Sequence, residues 1–149
     1  MQLTQILTSL GASVLIFSFL TPALGQTNAP NKADEVILDM NQAFKKNDKA
    51  QLSRLLPKAK GHALEPWAAY WELRLRLDQA SDSEIQQFLT QYAGTYAEDR
   101  LRNDWLLQMG RQRDWADFAK EYPRFRMNDD REVRCYALST EALISKPET

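Results

Sequence analysis

Residues that build metal sites and nucleophilic active sites are scarce in this sequence. Its 149 residues include one histidine, His62, and one cysteine, Cys135, and the five glycines are isolated from one another. A zinc site needs clustered ligands, and a phosphate-binding loop needs clustered glycines. No Gly-x-Ser-x-Gly elbow occurs, and His62 is the only imidazole that could act as a base. We therefore expect no catalytic residue, no metal site and no cofactor in this chain.

Charge is missing from the first part of the chain. No Lys, Arg, Asp or Glu precedes Lys32, and the stretch Leu3 to Leu20 is rich in Leu, Ile, Val and Phe. Small residues then surround a possible cleavage point after Gly25, which is typical of a signal peptide. A retained membrane anchor is the alternative, but polar residues interrupt the apolar stretch that a span needs. We predict a signal peptide over 1–25, export to the periplasm, and no membrane contact after cleavage.

The composition of the full chain is typical of one soluble domain. Hydrophobic residues make up 44% and charged residues 26%, and the formal net charge is −1. A near-neutral chain has no global attraction to nucleic acid, so we expect no nucleic-acid partner. A single cysteine excludes an internal disulfide. The polar residues 26–33 predict a flexible leader, and 34–149 a helical-repeat domain.

Apolar residues recur at helical spacing from about Ala33 onward, and no run has convincing strand chemistry. Turn residues divide the pattern into seven predicted helices, so the predicted class is all-α. Ser81 and Glu84 predict a capping box for the fourth helix, Gly110 the end of the fifth, and Asp129 and Asp130 the start of the last. The alternation from Glu72 to Asp78 also fits a strand, but its flanks favour a helix.

Two aligned blocks suggest an internal repeat. Phe88 and Tyr92 align with Phe118 and Tyr122 at an offset of 30, and Trp105 aligns with Tyr136 at an offset of 31. Asp99-Arg100 and Asp130-Arg131 share the second offset. A unit of about 30–34 residues predicts antiparallel helix pairs stacked as an α-superhelix, or solenoid, of tetratricopeptide-like repeats. Coincidence among amphipathic helices is the alternative.

The last predicted helix has apolar residues that no later helix of this sequence would cover. They are Val133, Tyr136 and Leu143. Solenoid ends are normally covered by a polar capping repeat. We therefore expect the domain to be incomplete at its C-terminal end, where further chain or another protein would pack.

Arginine and tryptophan are the remaining candidates for ligand contact. Ten arginines fall between Arg74 and Arg134, interspersed with acids, and fit either an anion-binding groove or a salt-bridged surface. The four tryptophans, Trp67, Trp71, Trp105 and Trp115, fit either sugar stacking or core packing. In both cases we favour the structural alternative. We also expect His62 to face solvent from a loop and Cys135 to pack as a small hydrophobe.

The chain resembles the N-terminal superhelical, U-shaped region of the soluble lytic murein transglycosylase family over about residues 33–145. The resemblance is most specific between Asp114 and Tyr136, and the helix carrying Trp67, Tyr70 and Trp71 also fits. The matching segments are Asn103-Asp104-Trp105-Leu106-Leu107, Arg113-Asp114-Trp115, Phe118, Tyr122-Pro123-Arg124-Phe125 and Asn128 to Ala137.

This resemblance implies a periplasmic scaffold that works on peptidoglycan. In the family, a separate C-terminal lysozyme-like domain uses one glutamate to cleave the glycan strand, leaving a 1,6-anhydro product. The family's Glu-Ser and Gly-Leu-Met-Gln motifs have no match here, so no catalytic residue is carried over. The expected partners are peptidoglycan or a C-terminal catalytic domain. A stand-alone periplasmic protein-binding adaptor and a direct glycan binder are the alternatives.

Overall fold

The computed structural model describes residues 31–144 of the chain. The described part contains seven α-helices, two short 3₁₀ turns and no strand, so the predicted all-α class is confirmed there. The predicted signal peptide lies outside the described residues. The helices are α1 (Lys32–Lys45), α2 (Lys49–Leu55), α3 (Glu65–Arg74), α4 (Asp82–Gln91), α5 (Tyr96–Gln112), α6 (Trp115–Glu121) and α7 (Arg131–Ile144), with 3₁₀ turns at Leu56–Ala59 and Tyr122–Arg124.

Side-chain caps explain where most of these helices begin. Asn31 and Asp34 form a reciprocal capping box at α1, so the helical domain starts inside the predicted leader 26–33. Asp48, Thr95 and Asp114 accept backbone N–H groups at α2, α5 and α6. Each bond satisfies one of the donors that a helix start leaves unpaired.

The predicted capping box at α4 forms only by half. Ser81 Oγ accepts the backbone N–H of Glu84, 3.3 Å away, as expected. The Glu84 carboxylate instead accepts from Arg76, 2.6 Å away, because this charge-assisted bond is stronger than a cap to a neutral N–H. α3 also ends at Arg74, so only the first part of the alternating segment Glu72 to Asp78 is helical.

Gly110 does not end α5, contrary to the sequence prediction. The helix continues to Gln112, and Arg113 ends it in the left-handed conformation at φ 60°. Gly110 lies against the ring of Tyr136, where a Cβ would be 2.5 Å from Cγ and Cε2 and closer still to Cδ2. The glycine is therefore required for the close packing of α7 on α5.

The even-numbered helices α2, α4 and α6 start at equal intervals along the chain. They begin at Lys49, Asp82 and Trp115, so successive starts are 33 residues apart, within the predicted range of 30–34. This interval is called the repeat unit below. Three fully buried side chains recur at the same interval, namely Leu52, Ile85 and Phe118. Phe118 therefore corresponds to Ile85, and the predicted alignment of Phe118 with Phe88 is wrong. The error arose because both helices carry a phenylalanine four residues before a tyrosine, but at different positions: Phe88 is the seventh residue of α4, whereas Phe118 is the fourth residue of α6.

Odd-numbered helices pack in sequence: α1 on α3, α3 on α5 and α5 on α7. Among the even-numbered helices, α2 contacts α1 and α3, α4 contacts α5, and α6 contacts α5 and α7. The buried faces of the odd- and even-numbered helices together form two core clusters, one around Met40 and Leu52 and one around Leu101, Leu106 and Phe118. Between residues 31 and 144, no helix is both long enough and apolar enough to cross a bilayer.

Candidate functional site

His62 joins the loop before α3 to the start of α1. Its Nε2 lies 3.0 Å from Asp34 Oδ1, and its Nδ1 accepts the backbone N–H of Leu64. The expected solvent-facing histidine is therefore wrong, since the side chain is mostly buried by these contacts. The hydrogen bond with His62 is the main reason that the pKa of Asp34 lies below its usual value. Among the described residues no group of three or more His, Cys, Asp or Glu is placed to hold a metal ion.

Arg102 lies at the centre of a buried ion-pair cluster rather than on a solvated surface. Its guanidinium donates to Glu98 and to Glu121, the latter at 2.7 Å, and lies 3.3 Å from Asp99. All four side chains are buried. The cluster ties α5 to α6, and burial strengthens each of its electrostatic contacts.

Asp99 extends this cluster to the segment before α7. Its carboxylate accepts the backbone N–H groups of Arg126 and Met127, the latter at 2.7 Å. The Arg126 side chain in turn donates to Glu98 at 2.6 Å. Because every one of these contacts is internal, we assign the cluster a structural role.

Trp105 is buried, at 6% exposure, and the other three tryptophans are half-buried, with Trp67 and Trp71 packed against the core as expected. Trp67 lies at the centre of an aromatic row that also contains Trp71 and Tyr96. Its ring centroid is 6.3 Å from that of Trp71 and 5.6 Å from that of Tyr96, with interplanar angles of 32° and 37°. Tyr96 is 57% exposed.

A groove between α3 and α5, lined by both leucines and charged side chains, adjoins the aromatic row. The Tyr70 ring packs edge-on against Trp67, and its hydroxyl donates to buried Asp104 at 2.8 Å. The same carboxylate binds Arg74 Nε at 2.9 Å. Beyond Arg74 the groove encloses about 370 Å³, and Asp104, Gln108 and Arg111 are among its lining residues. Burial and the neighbouring Asp104 raise the pKa of Tyr70 to about 12.

Sequence reasoning named Arg74 and the tryptophans but missed the pairing of Tyr70 with Asp104. These two residues are 34 positions apart, close to one repeat unit. The predicted repeat was the available clue, since a repeat would place residues one unit apart on neighbouring helices. Asp130 behaves as predicted, because its Oδ1 accepts the backbone N–H of Glu132 and Val133 at the start of α7. Asp129 is exposed.

The outer face of α7 is the other unusual surface. Positions one repeat unit apart are buried in α3 (Ala69, Glu72, Leu73) and in α5 (Arg102, Trp105, Leu106), but exposed in α7 (Cys135, Leu138, Ser139). Leu138 is 68% exposed, and Leu143 on the same helix is 52% exposed.

This comparison corrects two expectations about α7. Cys135 is exposed rather than packed, because no described helix lies over this face. Val133, expected to be uncovered, is fully buried because it faces the core instead. Beside α7, an apolar groove of about 410 Å³ runs along α6 and is lined by Phe118, Ala119, Tyr122 and Ala137 among others.

No family model, curated protein or solved structure matches the chain. Any functional assignment therefore depends on the sequence segments quoted above and on two surfaces, the aromatic row with the adjoining groove and the outer face of α7.

Proposed function

We propose that the chain is the non-catalytic helical scaffold portion of a periplasmic lytic transglycosylase that acts on peptidoglycan. Cleavage of the glycan strand would be performed by a C-terminal lysozyme-like domain that is not among these residues. The segments from Asn103 to Ala137 support the family, and the apolar, uncharged stretch before Lys32 supports export.

The fold proposed for this scaffold is an α-superhelix of antiparallel, tetratricopeptide-like helix pairs. The spacing of helix starts supports it, because α3 begins at Glu65, one repeat unit after Lys32 of α1, and α7 begins two units later at Arg131. Between them, α5 begins at Tyr96, two residues earlier than a unit of 33 residues places it. The packing of each odd-numbered helix on the next is the contact pattern of stacked repeats.

The observation that carries the scaffold proposal is the exposed outer face of α7. In α5, the corresponding positions are covered by α6 and α7, and Arg102 is bound by Glu121 of α6. In α7, Leu138 stands at the position of buried Trp105. Exposed leucines on a repeat-end face favour packing of another element there. In this proposal, the polypeptide that carries the lysozyme-like catalytic domain covers this face.

A photo-crosslinking amino acid at position 138 tests the proposal in cells that export the protein. The matched control places the same amino acid at position 45, where Lys45 is exposed on α1. We expect crosslinking from position 138 alone, to a polypeptide whose purified form releases 1,6-anhydro-muropeptides from cell walls. No crosslink, or crosslinks from both positions, would contradict the proposal.

The adaptor alternative predicts a different outcome of the same experiment. A stoichiometric crosslinked protein without glycan-cleaving activity would replace the transglycosylase assignment with a stand-alone periplasmic adaptor. The exposed face of α7 is the specific observation that keeps this second candidate, since it offers the same apolar side chains to any helical partner.

A further inference from the structure

We propose that the apolar groove between α6 and α7 binds an amphipathic helix that carries an acidic residue three positions after a large apolar residue. Phe118, Ala119, Tyr122 and Ala137 are among the residues that line this α6–α7 groove. The inference rests on the proposed function only for the source of the helix, which would belong to the polypeptide that covers α7. The chemistry of the helix follows from the described residues alone.

The preceding helices show how such a groove is filled. α6 packs on α5, and Phe118 of α6 is fully buried. Three residues later, Glu121 is buried as well. Its carboxylate accepts from Arg102 Nε of α5 at 2.7 Å and from Gln86 Nε2 of α4 at 3.2 Å. One apolar residue and one acid, neighbours on the surface of α6, therefore anchor this helix across α4 and α5.

The α6–α7 groove is the corresponding position one repeat unit later. Ala119 lies one repeat unit after Gln86, so a helix placed over α6 and α7 as α6 is placed over α4 and α5 would contact Ala119. Ala119 and Ala137 are small, and the groove encloses about 410 Å³, which leaves room for a large apolar side chain. Apolar grooves between helices bind amphipathic helices through anchors of this kind.

An exposed arginine on α7 determines the charge of the helix. Cys135 lies one repeat unit after Arg102, and the neighbouring Arg134 is exposed. Arg134 also lies one turn before Ala137, on the side of α7 that borders the groove. Arg102 is bound by Glu121, whereas Arg134 has no ion pair in the part of the chain that the structure describes. A carboxylate on the incoming helix would supply this partner.

The charges along α7 also indicate the direction of the helix. Glu141 lines the groove two turns after Arg134, so the acid of the incoming helix is expected at the Arg134 end. Glu121 lies in the same way at the C-terminal end of α6 and binds Arg102 in the first half of α5. The incoming helix would thus run antiparallel to α7, as α6 runs antiparallel to α5.

Binding of a stapled peptide to the full chain tests the proposal in vitro. The probe copies residues 113–124, which contain Phe118 and Glu121, with a hydrocarbon staple between positions 116 and 120, both exposed in the chain. The staple keeps helical a segment that is too short to be a stable helix alone. Fluorescence anisotropy should give a dissociation constant on the order of 0.1 mM, and Phe118→Ser in the probe should weaken binding about tenfold. No binding up to about 1 mM, or equal binding of the two peptides, would overturn the proposal.

Variants of the chain locate the binding in the groove. Ala119→Glu should weaken binding of the probe about tenfold, whereas Ala50→Glu, at an exposed alanine of α2, should leave it unchanged. Arg134→Glu should also weaken it about tenfold and should restore binding of a probe that carries Glu121→Lys. Circular dichroism confirms that each variant is folded. Equal effects of the two alanine substitutions, or failure of the charge swap to restore binding, would contradict the proposed site.

A photo-crosslinking amino acid at position 119 identifies the source of the helix in cells that export the protein. We expect it to capture the same polypeptide as position 138, within a segment that has a large apolar residue three positions before Asp or Glu, as located by mass spectrometry. A segment without this pattern, or a crosslink from position 138 alone, would overturn the inference and leave the scaffold proposal standing. A segment with this pattern in a protein that cleaves no glycan would support the inference and reject the transglycosylase assignment.

Discussion

Replacing Gly110 with alanine tests the packing of α7 on α5. In an exposed helix interior, Gly→Ala stabilises by about 1 kcal/mol through helix propensity. Here the added methyl would lie 2.5 Å from Cγ and Cε2 of Tyr136. That ring cannot move freely, because it contacts Trp115 and Phe118 and its hydroxyl donates to Glu132.

The two effects of Gly110→Ala have opposite signs, and the steric one is larger. Overpacking a well-filled interface costs about 1–3 kcal/mol, and the contact distance here places the cost at the upper end of that range. Subtracting the propensity gain of about 1 kcal/mol leaves a net destabilisation of about 1–2 kcal/mol. Urea unfolding followed by circular dichroism measures this difference.

A double-mutant cycle with Tyr136→Ala separates the two effects, because alanine lacks the Cγ and ring atoms that the added methyl would meet. Without them, the propensity term remains alone, so Gly110→Ala should stabilise the Tyr136→Ala protein by about 0.5–1 kcal/mol. The change of sign between the two backgrounds is the diagnostic result. A stabilising Gly110→Ala in the wild-type protein, or the same effect in both backgrounds, would refute the α5–α7 packing described here.

Three further predictions concern buried charge, alkaline pH and capping. Arg102→Met should destabilise the protein by about 3–5 kcal/mol in urea unfolding, because it leaves buried carboxylates unpaired. Arg111→Met, at an exposed pair, should change the free energy of unfolding by less than about 1 kcal/mol. Similar effects of the two substitutions would contradict the buried cluster. Because the pKa of folded Tyr70 is raised to about 12 from 10.0, its stabilisation is complete below pH 10 and is lost as pH rises to 12. The stability measured by thermal melts across that pH range should therefore fall more steeply for the wild type than for Tyr70→Phe, with a difference of up to about 2 kcal/mol. Parallel curves for the two proteins would exclude the effect. Asp130→Ala should cost about 1 kcal/mol in urea unfolding by removing the cap of α7, and an unchanged midpoint would contradict that role.

Helix positions were largely predictable from the sequence because their causes are local. Apolar spacing and capping residues lie within a turn or two of the helix ends they determine, so the breaks near Asp48, Ser81 and Asp114 could be found by inspection. Gly110 shows where local reasoning fails. Its role depends on Tyr136, which lies two helices further along the chain, and a glycine near a predicted helix end looks the same in either case.

Burial of charged residues was the least predictable feature. Arg102 and the exposed Arg111 have the same chemistry and lie on the same helix, and the packing of α6 on α5 buries only Arg102. Likewise, the candidate site requires Trp67 and Tyr96, on different helices, to meet. Sequence reasoning supplied the residue types for this site, but their grouping depended on how α3 packs on α5.

The most direct test of the scaffold account is the reactivity of Cys135 inside and outside the cell. This thiol is exposed on the outer face of α7, so a maleimide should label the purified chain rapidly. If a further helical element covers that face in the cell, labelling of Cys135 in intact cells should be strongly slowed. A cysteine at position 45, in a Cys135→Ser background, should react equally in both settings. Equally rapid labelling of Cys135 in cells and in the purified chain would contradict the proposed covering of α7.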